Sequence, residues 1–166
     1  MAGFIPIYAA SVAVFGTNDL DGLASSTTLV AGWESAVITN ASNDVLLSGR
    51  FQANATAPTA GQISVFVGSL VNSTPSYPDV FDGTSSAETI TSADIRNAIL
   101  RPAATIITDA TANRIYEFAP VNIAALFGGV MPNKYFVFVT HSMVQALNTT
   151  AGAGGQCWIQ GVTYPA

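Results

Sequence analysis

Charged residues are scarce in this 166-residue sequence, in which Asp, Glu, Lys and Arg together make up only 9%. An ordinary soluble domain carries about 25% charged residues, so much of this surface must be small polar and apolar side chains, or be covered by other chains. The basic residues stand singly, at Arg50, Arg96, Arg101, Arg114 and Lys134, and the net charge is −5. Because binding to phosphates needs clustered Lys and Arg, direct contact with nucleic acid is not expected.

Cysteine and histidine occur once each, as Cys157 and His141. A single cysteine excludes an intrachain disulfide and a thiolate metal cluster, and a single histidine excludes a multi-histidine metal site. We expect Cys157 to be a small buried residue of the last strand, with an interchain disulfide or a reactive thiol as the alternative. A Ser-His-Asp triad would have to use His141, but no Gly-x-Ser-x-Gly motif is present, so a structural role is favoured.

Signatures of nucleotide and calcium binding are missing as well. There is no Gly-x-Gly-x-x-Gly turn and no Walker loop, and the glycines at 152–155 lack the Lys and Ser/Thr of a phosphate loop. Asp19 and Asp21 lie in a polar turn without the further ligands of a calcium loop. The sequence therefore predicts no enzyme, no cofactor and no metal site.

Residues 1–19 are predicted to form an apolar arm or a first strand, ahead of a single domain at 20–166. Pro6 opposes a helix in this segment, and its β-branched residues favour extended structure. No Lys or Arg precedes the apolar run 4–15, so the positive region of a signal peptide is missing. The run is also shorter than the about 20 residues of a membrane span, so no contact with a membrane is expected.

Short strands separated by turn residues dominate the rest of the chain. Residues 45–54 alternate between apolar and polar, the pattern of a half-buried antiparallel strand, and residues 63–67 follow with Ile63, Val65 and Val67 facing inward. Further strands are predicted within 23–40, 104–109, 114–118, 135–141 and 156–164, and short helices at 92–100, ended by Pro102, and at 120–127. The pattern predicts an all-β fold, an antiparallel β-sandwich with one or two short helices. A jelly roll is favoured over an immunoglobulin-like Greek key, which lacks its Cys…Trp…Cys signature here.

The most distinctive stretch is residues 135–140, which are apolar or β-branched on both faces and follow a Pro-Asn-Lys turn. A strand with two apolar faces must be covered on both sides. The sequence predicts that it lies at the centre of a sandwich, or that a subunit interface buries its outer face.

A long polar segment at 72–87 is the candidate recognition loop, because loops of this length in compact domains are often functional. Its candidate contact residues are Tyr77, Asp79, Phe81 and Asp82. Trp33 is favoured as a core or interface anchor, and Trp158 is assigned to one face of the last strand. Carbohydrate or receptor binding is the alternative function, in which Tyr77, Phe81 and the tryptophans would stack on sugars and Asp79 or Asp82 would bind hydroxyls.

Three degenerate and mostly structural stretches, spanning roughly residues 20–166, carry a resemblance to a known class of protein. They are residues 23–26 with 33–36 and 38–40; residues 58–67 with the loop 77–83; and residues 130–132 with 135–139 and 160–164. In these stretches the chain resembles small virion structural proteins of tailed bacteriophages, of the capsid-decoration or jelly-roll fibre type.

The resemblance implies a β-sandwich without catalytic residues that binds the outer capsid surface of a phage head, often as a trimer. The major capsid protein and further copies of the chain are then the expected partners. The N-terminal segment would be the capsid-binding arm, or an edge strand added to a neighbour. Its candidate contact residues are Phe4, Ile5, Ile7, Tyr8, Val12, Val14 and Phe15.

Overall fold

The computed structural model of the chain describes residues 5–70 and 76–165. Within these ranges it contains eleven strands and two short helices. The strands are β1 Ile7–Tyr8, β2 Val12–Ala13, β3 Ala31–Glu34, β4 Ile38–Thr39, β5 Asp44–Gln52, β6 Gly61–Ser69, β7 Ser86–Thr89, β8 Leu100–Thr108, β9 Ile115–Asn122, β10 Lys134–His141 and β11 Gly155–Thr163. The helices are α1 Ala93–Ile99 and α2 Ile123–Leu126.

The strands form two antiparallel sheets that pack face to face, which confirms the predicted all-β sandwich. Sheet A has the order β1-β11-β5-β9, with β2 also paired to β11. Sheet B has the order β7-β3-β10-β6-β8, with β4 also paired to β10.

The pairing between strands is nested along the chain. The first strands, β1 and β2, pair with the last, β11; β3 and β4 pair with β10, β5 with β9, and β6 with β8. This is the order of one long hairpin wound into two sheets, which is the jelly roll. The immunoglobulin-like alternative is thereby excluded.

The main core lies between the two sheets and follows the alternation of the sequence. Ile63, Val65 and Val67 of β6 are fully buried there, as predicted, together with Leu47 and Phe51 of β5. Each such side chain contributes roughly 1.5–3 kcal/mol by leaving water. The period of two in β5 and β6 therefore decides which face of each strand is inward.

A second, smaller core covers the outer face of sheet B. Phe136 and Phe138 of β10 point away from the main core, yet both are 0% exposed. They pack with Phe81, Ile90 and Leu100 from the segment that leads through α1 into β8. The chain itself thus covers both faces of β10, and no subunit interface is needed to bury this strand.

The predicted helices are confirmed in part. The Ser92 hydroxyl accepts a hydrogen bond from the Ile95 N–H at 3.2 Å and so caps α1. The second helix was predicted to begin at Pro120, which is wrong because Pro120 lies in β9 and α2 is only Ile123–Leu126. Pro102 also lies inside a strand, β8. Both prolines occupy edge strands, where a missing N–H is tolerated.

Candidate functional site

The N-terminal strands form one edge of sheet A. Ile7 lies opposite Thr163 of β11, and Val12 lies opposite Ile159. Four of the predicted contact side chains are well exposed along this edge: Ile5 at 76%, Ile7 at 60%, Tyr8 at 56% and Val12 at 58%. We call these four residues the N-terminal edge patch.

Val14 and Phe15, which follow the patch in the sequence, attach it to the sandwich. Phe15 is only 4% exposed and belongs to the main core, against which half-buried Val14 also packs. The Gln156 side chain accepts a hydrogen bond from the Phe15 N–H at 3.0 Å and donates one to the Phe15 carbonyl at 2.9 Å. Phe15 is therefore a core residue, which corrects its prediction as an intermolecular contact. Phe4 lies outside the described residues.

The predicted recognition loop covers the second core rather than presenting its aromatic rings to solvent. Phe81 is 4% exposed, and its ring centre lies 4.6 Å from that of Phe136 and 5.6 Å from that of Phe138. Tyr77 is half-buried and packs against the same cluster. Phe81 cannot stack on a sugar in this position, so that part of the prediction is wrong. Residues 72–75 of the predicted loop lie outside the described ranges.

The two acids of this loop are exposed, and each accepts hydrogen bonds from a nearby threonine of the chain. Asp79 accepts hydrogen bonds from the Thr91 N–H at 2.8 Å and the Thr91 hydroxyl at 2.7 Å. Asp82 accepts from the Thr84 N–H at 2.9 Å and the Thr84 hydroxyl at 2.6 Å. These bonds favour the ionised form and lower the pKa of both carboxyls. The acids therefore fix the shape of the loop.

Asp82 also belongs to an acidic cluster that the sequence did not reveal. Carboxylate oxygens of Glu34, Asp82 and Glu88 all lie within 4.8 Å of one another. Glu34 is 0% exposed, and it accepts hydrogen bonds from the N–H groups of Asp82, at 3.3 Å, and Gly83, at 3.0 Å. Burial, with a smaller contribution from the neighbouring carboxylates, raises the pKa of Glu34 to about 7, although these two hydrogen bonds act to lower it. Such a cluster can hold a proton, and its oxygen ligands suit a hard cation.

His141 and Cys157 are both buried. The His141 Nε2 lies 2.8 Å from the Leu23 carbonyl, and its Nδ1 accepts a 3.4 Å hydrogen bond from the Met143 N–H. Burial lowers the pKa of His141 and raises the pKa of Cys157. Cys157 is 0% exposed in β11, which confirms its prediction as a small buried residue. Neither side chain is placed to react with a solute.

A polar and aromatic surface lies on the outer face of sheet A. Trp158 of β11 lies opposite Ser48 of β5, and Arg50 of β5 lies opposite Glu117 of β9. The Arg50 Nε is 3.7 Å from the Glu117 carboxylate, and these two side chains are 44% and 67% exposed. Depressions of about 250 and 60 Å³ are each lined by both Trp158 and Arg50. We call Trp158, Ser48, Arg50 and Glu117 the sheet A platform.

The sequence pattern predicts that these residues lie on strands, but it does not predict that they are neighbours on one surface. The alternation over residues 45–54 assigned Ser48 and Arg50 to the polar face of their strand, which is the signal that was available. The partners of that face depend on the nested pairing, because Trp158 is more than 100 residues from Ser48. The sequence did not identify Glu34 as a site residue, because a single acid next to a tryptophan is not a motif for any binding or catalytic site.

No family model, curated protein or solved structure is found to match the chain. In the described ranges, no helix has the length and apolar character required to cross a membrane.

Proposed function

We propose that the chain is a non-enzymatic virion structural protein that decorates the outer surface of a phage head as an oligomer. The observation that carries the proposal is the N-terminal edge patch, which presents four exposed apolar side chains on an edge of a jelly roll. The resemblance in residues 20–166 supplies the class of partner, the major capsid protein.

Exposed edge strands need protection against unwanted pairing. Soluble proteins usually protect them with charged side chains, especially Lys, or by covering them. Residues 5–14 contain no charged residue, and the four apolar side chains of the patch are exposed to solvent. Several exposed apolar side chains in one short segment favour an interaction site there. A neighbouring subunit or the capsid shell would remove both the apolar side chains and the open backbone edge from water.

The low charge of the chain supports the same proposal. A subunit that is fixed in a symmetric shell buries part of its surface against neighbours, and the centres of such interfaces are depleted in charged residues. A monomeric protein is kept soluble by charged residues on its surface, and this chain has few of them.

The test is binding to phage heads that lack this protein. The triple variant Ile7→Ser, Tyr8→Ser and Val12→Ser should lose co-sedimentation with these heads, because it removes the apolar contact area of the patch. The matched control is Ile107→Ser with Val130→Ser, two side chains that are 75% and 71% exposed elsewhere on the surface. Circular dichroism should show that both variants keep the strand signal.

Two results would overturn the proposal. One is a wild-type protein that stays monomeric by light scattering and does not sediment with the heads. The other is a patch variant that binds as well as the control variant. A trimer in solution that the patch variant dissociates would instead assign the patch to contacts between subunits.

A further inference from the structure

The sheet A platform brings together side chains from three strands. Trp158 comes from β11, Ser48 and Arg50 from β5, and Glu117 from β9. Because neighbouring strands of a sheet are held by backbone hydrogen bonds, the spacing between the backbone positions that carry these side chains is fixed before any ligand arrives. Only the side-chain rotamers then need to be ordered on binding.

Ser48, which has a small side chain, lies opposite Trp158 on the outer face of sheet A. Gly49, the next residue of β5, faces the main core, since a Cβ added there would lie 2.4 Å from the Phe118 ring and 3.1 Å from the Cys157 Sγ. The depression of about 250 Å³ beside Trp158 has room for one sugar ring. Trp158 and Arg50 separate it from the smaller depression near Gln156.

The chemistry of the platform discriminates between ligand classes. A phosphate or a nucleic acid strand needs several cations, whereas the platform has one Arg with Glu117 at 3.7 Å. A purely apolar ligand would leave both charged groups without hydration. A neutral pyranose presents an apolar C–H face, which an indole can cover, and hydroxyls that both donate and accept. Arg50 offers donors and Glu117 offers acceptors, so the pair can bind adjacent hydroxyls of such a ring.

We infer that the sheet A platform is a binding site for a neutral saccharide, with a pyranose ring against Trp158 and its hydroxyls bonded to Arg50 and Glu117. The site lies on the strands of sheet A and not on the loop at 77–87. It is separate from the N-terminal edge patch in its residues, so each site can be tested without the other.

The tryptophans allow a direct measurement, because the chain has only two. The Trp33→Phe variant leaves Trp158 as the sole indole, and Trp33 lies outside the platform, where its Nε1 donates to Ser85. The probes are glucose, galactose, mannose, rhamnose, N-acetylglucosamine and N-acetylgalactosamine with their short oligomers. We expect at least one of them to change the fluorescence of Trp33→Phe in a saturable way.

The variants assign the site. Trp158→Ala should weaken binding at least about tenfold in nuclear magnetic resonance titrations, since the aromatic contact is lost. Arg50→Ala should weaken it as well, whereas the control Arg101→Ala, which removes another exposed arginine, should not. Thermal unfolding of each variant shows whether it is folded.

The outcomes decide the inference in either direction. Saturable binding that Trp158→Ala and Arg50→Ala reduce, and that Arg101→Ala leaves intact, supports it. The inference is overturned if no saccharide of the panel binds the wild-type chain, or if binding survives in folded Trp158→Ala. A preference for inorganic phosphate or an anionic polymer over every neutral sugar would overturn it too.

Discussion

At the residue scale, the carboxyl of Glu34 is unusual because it is fully buried, although acidic side chains are ordinarily exposed. It lies in β3 opposite Phe138, at the margin of the second core, where an apolar side chain would be expected. Its two hydrogen-bond donors come from the loop that covers this core. Glu34 therefore holds the loop in place, and its protonation state affects how well it does so.

We predict that Glu34 makes stability fall as pH rises towards neutrality. Burial raises its pKa from 4.5 to about 7 in the folded chain, so the folded state binds the proton more tightly than the unfolded state does. The stabilisation is complete below about pH 4.5 and is lost as pH rises through 7, with a total on the order of 3 kcal/mol. Urea denaturation of wild type and Glu34→Gln between pH 4.5 and 8.5 should show this decline only in the wild type.

The control is Glu117→Gln, which changes a carboxyl that is 67% exposed. His141 acts in the opposite direction, because its lowered pKa gives stability above about pH 6.5 that is lost as pH falls. The difference between wild type and Glu34→Gln cancels this contribution. If both proteins had the same pH dependence, Glu34 would not be the titrating group.

At the scale of elements, the strands follow the sequence pattern where one face is buried, and they depart from it at the edges. The alternation in β5 and β6 predicted their inward residues correctly. The short edge strand β7 was not predicted, and its first two residues were included in the loop at 72–87, because Ser86–Thr89 is polar on both faces and half-buried at most. Pro102 and Pro120 were taken as helix boundaries for the same reason: local preference does not reveal which strands will lie at the edge of a sheet.

The segment around Phe81 shows a second limit of local reasoning. Its composition of turn formers, aromatics and acids is that of a surface recognition loop, and its acids are indeed exposed. Its aromatic residues serve packing instead, because the outer face of β10 is apolar and has to be covered. The two-faced apolar strand was visible in the sequence, but which segment covers it depends on tertiary packing.

We predict that this cover is essential for stability. Phe81→Ala should lower the free energy of unfolding by about 3–5 kcal/mol, since it leaves a cavity over Phe136 and Phe138. The neighbouring Val80, which is 36% exposed, supplies the control, and Val80→Ala should change stability by well under half of that amount. Urea denaturation measures both. Equal effects of the two substitutions would mean that Phe81 does not seal the second core.

At the scale of the whole molecule, the nested pairing places strands that are far apart in the sequence next to each other in a sheet. The first and last of the described strands pair with each other, since Ile7 lies opposite Thr163 and Tyr8 opposite Val162. Sheet A is consequently complete only when β1 and β2 have paired with β11. Strand β11 links both proposed surfaces, because one of its edges pairs with β1 and β2 and the other pairs with β5, where Trp158 lies opposite Ser48.

Non-local pairing of this kind slows folding, because loop closure must occur before the contacts stabilise the chain. A circular permutant that joins residue 165 to residue 5 through a short Gly/Ser linker, with new ends between Gly128 and Gly129, should therefore refold several-fold faster. The new ends lie at exposed residues with positive φ between α2 and β10, where a break removes little packing. The permutation makes β1 and β11 a local hairpin and shortens the chain between β11 and β5.

Stopped-flow refolding of the permutant and of the linear chain measures the effect, and equilibrium denaturation establishes whether the two proteins are equally stable. A permutant of equal stability that refolds no faster would show that closure of sheet A does not limit the rate.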